Sequence, residues 1–293
     1  MPPGQTEGKG PGKMRAEGIT IAVTALDRIR SPRPGARKGW AAALAKARVE
    51  LHPGSVEVLL TVSHQAGHLG LAEAVGAHPA GTAVEVEAVP GLALCLIRLA
   101  GKPFGIACPG GVQPELAVTG GPADPDHPPD PAALSGFVAG TLIETPDGPR
   151  ACETLRAGDL VSTLANGSRP LEWVARRRVS VLELLAHPGL RPLVIARGVA
   201  GNDRELWLSP RQRLLIDDWR AEVFFGEDRV LAAAEALAGG SAVSVALPPD
   251  GVEYVLLLCD RHEILQANGA LSESFHPGET GLAGLTVAER TAL

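Results

Sequence analysis

Short apolar runs separated by turn-forming residues dominate the second half of the chain and constrain its fold most strongly. Each run has the length of a strand, and most end at glycine, proline, asparagine or aspartate, which favour tight turns. The clearest turns are at Gly148, Asn166-Gly167, Pro188-Gly189, Asp217-Asp218, Pro248 to Gly251 and Asn268-Gly269. Aromatic residues make up only 3% of the chain, so aliphatic residues must fill the core. The pattern predicts an all-β architecture.

The first half of the chain also predicts mainly strands. Apolar or alternating residues favour strands over 19–25, 56–62, 84–89, 92–97 and 104–107. Alanine and leucine predict one short helix over 40–47 and another, in the second half, over 229–237. We therefore expect a mainly β protein whose first part is a small β-rich domain of no assigned family.

Changes in composition predict five segments. Residues 1–18 are rich in glycine, proline and charge and are expected to form a disordered tail. Residues 19–108 form the small β-rich domain, and the prolines of 109–133 predict an extended linker. Residues 134–277 form the second domain, and residues 278–293 form a C-terminal tail.

Bulk properties exclude several classes of function. The net charge of −6 argues against general nucleic-acid binding. No apolar run approaches the length of a transmembrane segment, and no signal peptide is evident. We therefore expect a cytoplasmic protein, with export without an N-terminal signal left open. The cysteines show neither disulfide nor metal-ligand spacing, so no cofactor or metal is expected; these are Cys95, Cys108, Cys152 and Cys259.

Four blocks in the second domain resemble one known family in sequence and in order. Together they resemble a Hint module, the hedgehog/intein self-processing fold, over about residues 135 to 277. The likeness is greatest to a bacterial subtype that begins Cys-Phe-x-x-Gly-Thr-x-Ile-x-Thr-x-x-Gly. The resemblance implies an all-β, horseshoe-shaped fold for this domain. The blocks are GFVAGTLIETPDG from Gly136, LEWV from Leu171, LWLSPRQRLL from Leu206, and YVLLLCDRHEILQANGALSESF from Tyr254.

The resemblance implies a reaction, and the chain departs from it at three positions. In active members the first residue attacks the preceding carbonyl, and a histidine protonates the leaving amine. Here the nucleophile position is Gly136, which has no side chain. The usual histidine of the third block is Gln212, and a histidine common in the fourth block is Leu256. Asp260 and His262 remain as candidate site residues.

His262 and Asp260 have a second interpretation. Both follow an apolar run and precede Ile264, so they could form a polar turn between two strands. In that case His262 would only hydrogen-bond to the backbone. The sequence leaves this interpretation and a remnant of the family's site equally open.

Two functions follow from these substitutions. The first is a degenerate Hint module that retains the scaffold without the reaction and acts in binding, with a protein as one possible partner. The alternative is self-cleavage near Leu134–Gly136, with the hydroxyl of Ser135 attacking in an N–O acyl shift. Ser135 lies one residue before the nucleophile position, and side chains alternate along a strand, so we expect it to face away from the site.

Overall fold

The protein folds mainly into antiparallel strands. The computed structural model describes residues 19–26, 29–31, 49–51, 57–65, 68–89, 94–108, 115–116, 130, 133–217, 222–223, 226–238, 242–285 and 287–293. The mainly β architecture predicted from the turn spacing is confirmed, including a β-rich N-terminal region. The predicted disordered tail at 1–18 and the predicted helix over 40–47 lie outside the described residues.

Within the described N-terminal residues, six strands form one antiparallel sheet in the order β5-β4-β1-β8-β7-β6. A smaller sheet has the order β2-β3-β9. The strands predicted in this region are confirmed, with shifts of a few residues at their ends. The strands are β1 (Ile19–Ala25), β2 (Ile29–Ser31), β3 (Val49–Leu51), β4 (Val58–Gln65), β5 (His68–Leu71), β6 (Val84–Ala88), β7 (Cys95–Leu99), β8 (Lys102–Ala107) and β9 (Glu115–Leu116).

The described C-terminal residues form one extensive, curled sheet. Its main path is β18-β17-β22-β21-β13-β14-β20-β10-β16-β15-β19, with β11 beside β21 and β12 beside β11. The strands are β10 (Phe137–Val138), β11 (Leu142–Ile143), β12 (Arg150–Ala151), β13 (Leu160–Thr163), β14 (Gly167–Val179), β15 (Leu193–Ile195), β16 (Leu206–Leu208), β17 (Arg213–Ile216), β18 (Val230–Ala233), β19 (Val243–Val245), β20 (Val252–Cys259), β21 (Ile264–Ala267) and β22 (Ala270–Glu273).

The long strand β14 joins the two parts of this sheet. Its first residues, 167–170, pair with β13, and its later residues, 171–179, pair with β20. The register shifts between Leu171 and Trp173, at the point where the strand changes partners. A bulge increases the local twist and bends a strand. The bulge therefore lets one strand serve both parts of a curled sheet.

Three short helices accompany the strands in the described residues: α1 (Val181–Ala186), α2 (Glu279–Ala283) and α3 (Val287–Ala292). Short 3-10 turns lie at Cys152–Thr154, Pro188–Leu190 and Ala234–Leu237. Helix α1 begins at a capping box, in which Ser180 accepts from the backbone of Glu183 and the Glu183 carboxylate accepts from the backbone of Ser180. Arg191 donates to the carbonyl of Leu184 at the other end of the helix. Both ends of this short helix are thus stabilised by side chains.

The helix predicted over 229–237 is wrong for most of its length. Residues Val230–Ala233 form β18, which pairs with β17 from Arg213 to Ile216. Only Ala234–Leu237 turn, as a 3-10 helix. Alanine and leucine favour helices locally, but the hydrogen bonds that β17 provides to the backbone override that preference.

The segments predicted as linker and tail contain regular structure where they are described. Glu115–Leu116 pairs with β3, and the predicted tail contains α2 and α3. The backbone of Asp130 donates to the carbonyl of Ala283, and Leu285 is buried. The end of the chain therefore packs against the residues just before the C-terminal sheet. The domain boundaries themselves stay a prediction.

One hydrophobic cluster spans both parts of the chain. It includes Val23 and Leu60 from the N-terminal sheet together with Leu182, Leu184 and Leu185 of α1. Helix α1 lies against β6 of the N-terminal sheet. Leu134, just upstream of the C-terminal sheet, belongs to the same cluster. The two parts thus share a core, although their strands form separate sheets.

We predict that Leu184→Ala destabilises the protein through this shared core. Removing a fully buried leucine side chain costs roughly 2–5 kcal/mol in the free energy of unfolding. Urea unfolding followed by circular dichroism measures the loss. Leu59→Ala is the matched control, since Leu59 is 65% exposed and its truncation should cost less than about 0.5 kcal/mol. Equal costs for the two variants would contradict the shared core.

Candidate functional site

Gly136 lies immediately before β10, a buried two-residue strand between β16 and β20. Phe137 pairs with Leu208 on one side and with Val255 on the other. The amide of Gly136 donates to Oγ of Ser209 at 2.9 Å, and its carbonyl accepts from the amide of Ser209 at 3.0 Å. Both polar backbone groups of Gly136 are therefore held by one residue.

The space beside Gly136 is tight. A β-carbon at this position would lie 3.0 Å from the carbonyl oxygen of Val255 and 3.4 Å from Cδ1 of Leu256. Leu256 is only 1% exposed, so its side chain has little room to move away. A side chain at position 136 would therefore require its neighbours to shift by a few tenths of an ångström.

Gln212 is completely hydrogen bonded, and its partners decide the orientation of its amide. Nε2 donates to the backbone carbonyl of Glu273 at 2.8 Å and to Oγ of Ser272 at 2.9 Å. A carbonyl only accepts, so the nitrogen must face Glu273. Oγ of Ser272 in turn donates to the carbonyl of Arg213. The amide oxygen then accepts from the hydroxyl of Ser135 at 2.9 Å.

Ser135 faces Gln212, not the opposite side of the sheet. The alternation expected of a strand does not apply here, because β10 begins only at Phe137. Ser135 donates its hydroxyl hydrogen to an amide oxygen, which is not a base. The hydroxyl of Ser135 therefore lies next to Gln212, but Gln212 cannot remove its hydrogen to make it a nucleophile.

His262 contacts the same part of the molecule through Glu273. Its Nε2 lies 3.0 Å from Oε2 of Glu273, whose side chain is 8% exposed. A carboxylate only accepts hydrogen bonds, so Nε2 of His262 carries the hydrogen. Glu273 thus joins two of the candidate residues, since its backbone holds Gln212 and its carboxylate holds His262. The ring of His276 stacks near that of His262, with centroids 5.1 Å apart.

The carboxylate of Asp260 contacts neither Gln212 nor Glu273 in the described residues. It forms an ion pair with Arg169, with 3.0 Å between Nε and Oδ1. Arg169 belongs to β14, so this pair links two neighbouring strand ends. Among the described residues, the polar side-chain contacts of Asp260 are with Arg169 and Arg261, and none reaches the network around Gln212.

Comparison with known proteins assigns a family to part of the chain. A family model described as a Hint domain matches residues 135–279. The C-terminal half of this chain belongs to the Hint-domain family. Among solved structures, the bacterial intein-like domain from Clostridium thermocellum is 14% identical, with a TM-score of 0.34, over 47% of this chain and 97% of that one. The gp41-1 intein is 12% identical, with a TM-score of 0.34, over 47% of this chain and 98% of that one. No curated protein matches.

A cleft of about 190 Å³ opens beside Ser135 in the Hint domain. Charged and polar groups line one part of it, and small or aromatic residues line the rest. The lining residues are Ala133, Ser135, Arg211, Arg213, Ala233, Glu273, Phe275, His276, Gly278 and Gly281. The cleft therefore connects the segment before Gly136 with the end of the domain.

The cysteines of the protein are free and buried, and none replaces the missing nucleophile. Burial is the largest cause of a raised pKa in each: to about 11 for Cys108 and Cys259, and to about 12 for Cys95, where the Glu183 carboxylate adds. The pKa of Cys152 is also raised, first by burial and then by Glu153. A thiolate is the reactive form, so these thiols are inert at neutral pH.

The described residues contain no group of three or more side chains able to hold a metal ion. Their helices are all too short or too polar to cross a membrane.

Several residues around Gln212 were not singled out by sequence reasoning. Ser209, Ser272 and Glu273 all stand inside the family blocks, but no local pattern distinguishes them from ordinary turn or strand residues. Their importance depends on contacts with residues far away in sequence. The one signal that could have found them is that all three lie inside the family blocks.

We predict that Gln212→Ala lowers the free energy of unfolding by roughly 1–3 kcal/mol, because it leaves buried partners without hydrogen bonds. Gln266→Ala is the matched control, since Gln266 is exposed on β21 and should tolerate the same change within about 0.5 kcal/mol. Urea unfolding of both variants measures the difference. An equal, small effect would mean that the network around Gln212 does not stabilise the domain.

Proposed function

We propose that this Hint domain does not cleave its own backbone and serves as a binding scaffold. The observation that carries the proposal is Gly136 itself, at the position of the family's nucleophile. That position has no side chain, and the carbonyl of Val255 and Leu256 lie close around it. The family's reaction therefore lacks the atom that begins it.

The surroundings of Gln212 support the same proposal. The acyl shift needs a group that protonates the leaving amine, because the amide must lose its resonance before the bond breaks. An amide side chain does not titrate, and both polar atoms of Gln212 are already hydrogen bonded. The amide of Gly136 itself donates to Ser209, so no proton donor is directed at that nitrogen.

His262 does not restore the missing function. Its Nε2 hydrogen is directed at the carboxylate of Glu273, which is a stronger acceptor than a neutral amide. We regard the pair of His262 and Glu273 as a remnant of the family's site that now holds β22 beside its neighbours. Asp260, paired with Arg169, stabilises the strand ends and takes no part in chemistry.

A completely hydrogen-bonded interior also favours a scaffold. No buried side-chain nitrogen or oxygen in the described residues lacks a partner. Enzyme sites often retain strained or poorly satisfied groups, whereas a fully satisfied polar network rigidifies a fold. In this proposal, the residues at the family's reactive positions stabilise the sheet and do not react. Binding is the function that a rigid scaffold with an open cleft supports.

The alternative is self-cleavage by Ser135 between Leu134 and Gly136. The observation in its favour is that Ser135 lies beside Gln212, at the position of the family's histidine. A serine hydroxyl needs an adjacent base, and the partner of Ser135 is an amide oxygen. Replacing Ser135 by alanine would abolish any cleavage by this route.

We predict that the purified protein keeps its full mass of 30.3 kDa during days of incubation, with or without thiols and hydroxylamine. Hydroxylamine cleaves esters and thioesters, so it would trap even a small acyl-shifted population. Intact-mass spectrometry measures the result, and Ser135→Ala is the control for the alternative. Two fragments of similar size, absent from Ser135→Ala, would establish self-cleavage and refute the proposal.

We predict that cleavage can be restored only when space is provided together with the chemistry. Gly136→Cys with Gln212→His should give little product, since the new side chain must push against the carbonyl of Val255 and the side chain of Leu256. Adding Leu256→Ala should give slow, hydroxylamine-accelerated cleavage after Ser135, because positioned groups react at a large effective molarity.

The matched control for this experiment is Gln212→His with Leu256→Ala, which lacks the thiol and should stay intact. Mass spectrometry follows all variants over the same days, with circular dichroism to check that each is folded. Cleavage of the control would place the nucleophile elsewhere. A folded but inert triple variant would mean that other positions also prevent the reaction.

A further inference from the structure

The cleft beside Ser135 carries groups that suit one kind of ligand. Arg211, in the turn just before β17, and Arg213, the first residue of β17, both line it. Their side chains are about half exposed, 48% for Arg211 and 51% for Arg213. Guanidinium groups offer several donors in a fork that matches a carboxylate.

Arg213 is the better placed of the two for a ligand. Its one ion pair among the described residues is with Glu273, at 3.8 Å, which is too long for a hydrogen bond. The carboxylate of Glu273 is instead bonded to His262 at 3.0 Å. Arg211 donates to Glu235 at 2.6 Å and adds positive charge at the edge of the cleft. Arg213 therefore keeps hydrogen-bond donors for a second carboxylate.

Other residues that line the cleft can contact the backbone and one side chain of a peptide. Ser135 donates its hydrogen to Gln212, so its oxygen can accept one from a peptide N–H. Ala133, Ala233 and Phe275 offer an apolar surface for a side chain. The volume of about 190 Å³ is below the roughly 300–1,000 Å³ of sites for drug-sized molecules. It suits one residue of a peptide.

We propose that this cleft binds a carboxylate of a peptide segment of another protein, with Arg213 as its main partner. The proposal rests on the proposed function, since it names the ligand of the non-cleaving Hint scaffold. The carboxylate comes either from the C-terminus of the peptide or from an acidic side chain. Ser135 accepts a backbone N–H of the same peptide, and the apolar wall contacts its side chain.

The test uses the full-length protein and three N-acetylated, unlabelled hexapeptides in isothermal titration calorimetry. One is Gly-Ser-Gly-Ala-Gly-Leu with a free C-terminus, and the second is the same peptide amidated. The third is amidated Gly-Ser-Gly-Glu-Gly-Leu. We expect the neutral amidated peptide to bind at least about tenfold more weakly than a charged one. The stronger of the two charged peptides identifies the source of the carboxylate.

Substitutions of arginine residues test whether the peptide binds in this cleft. Arg213→Ala should weaken binding about tenfold or more, whereas Arg213→Lys should retain part of it, because lysine keeps the charge but loses the fork. Arg178→Ala is the matched control, since Arg178 is 88% exposed, pairs with Glu253 and lies outside the cleft. Binding should also weaken as salt is raised, because the guanidinium is partly exposed. Circular dichroism confirms that each variant is folded.

Each outcome decides the proposal. It is overturned if no peptide binds at millimolar concentration, if the amidated neutral peptide binds as well as the charged ones, or if Arg213→Ala binds like the wild type. Intact mass is measured on the same samples. A full-length protein that fails to bind overturns this inference alone, whereas backbone cleavage overturns the proposed function.

Discussion

The pairing of β10 between β16 and β20 is the constraint on which the rest of the Hint domain depends. Two residues, Phe137 and Val138, place the start of the domain in the middle of a long antiparallel path. Ser209 then holds both backbone groups of Gly136. Phe137 and Val138 are both buried, in different hydrophobic clusters, so a shift of one residue would exchange two side chains of different size. The bond before Gly136 is therefore held in place by strand pairing and by Ser209.

The side chains of Ser135, Gln212 and Ser272 near this bond form neutral hydrogen bonds with one another. A reactive site would need groups that titrate at these positions. Gln212 connects Ser135 to β22, and Ser272 extends the chain of donors to β17. Each donor in this chain faces an acceptor, so the network stabilises one arrangement of the strands. The buried carboxylate of Glu273 is compensated by His262 and, at longer distance, by Arg213. The hydrogen bonds that stabilise this arrangement are thus the same ones that support the proposal of a non-cleaving domain.

The shared hydrophobic cluster gives the N-terminal sheet a physical role. Helix α1 lies next to β6, and its leucines belong to the same cluster as Val23 and Leu60. Leu134 joins this cluster directly before the candidate site. The segment that would carry the scissile bond is therefore anchored by apolar contacts upstream and by the sheet downstream. Such anchoring suits a scaffold, because it holds the wall of the cleft in one position.

The sequence by itself determined the mainly β fold, most strand positions and the family, because turn residues and strand-length apolar runs act locally. It also located the three departures from the family's pattern, at Gly136, Gln212 and Leu256, whose meaning for the reaction stays a prediction. The helix predicted over 229–237 was wrong at β18, because pairing with β17 overrides the local preference of alanine and leucine for a helix. Only the tertiary structure decided that Ser135 faces Gln212 and that Val255 and Leu256 lie close around Gly136. Those contacts join residues far apart in the chain, so no local pattern encodes them.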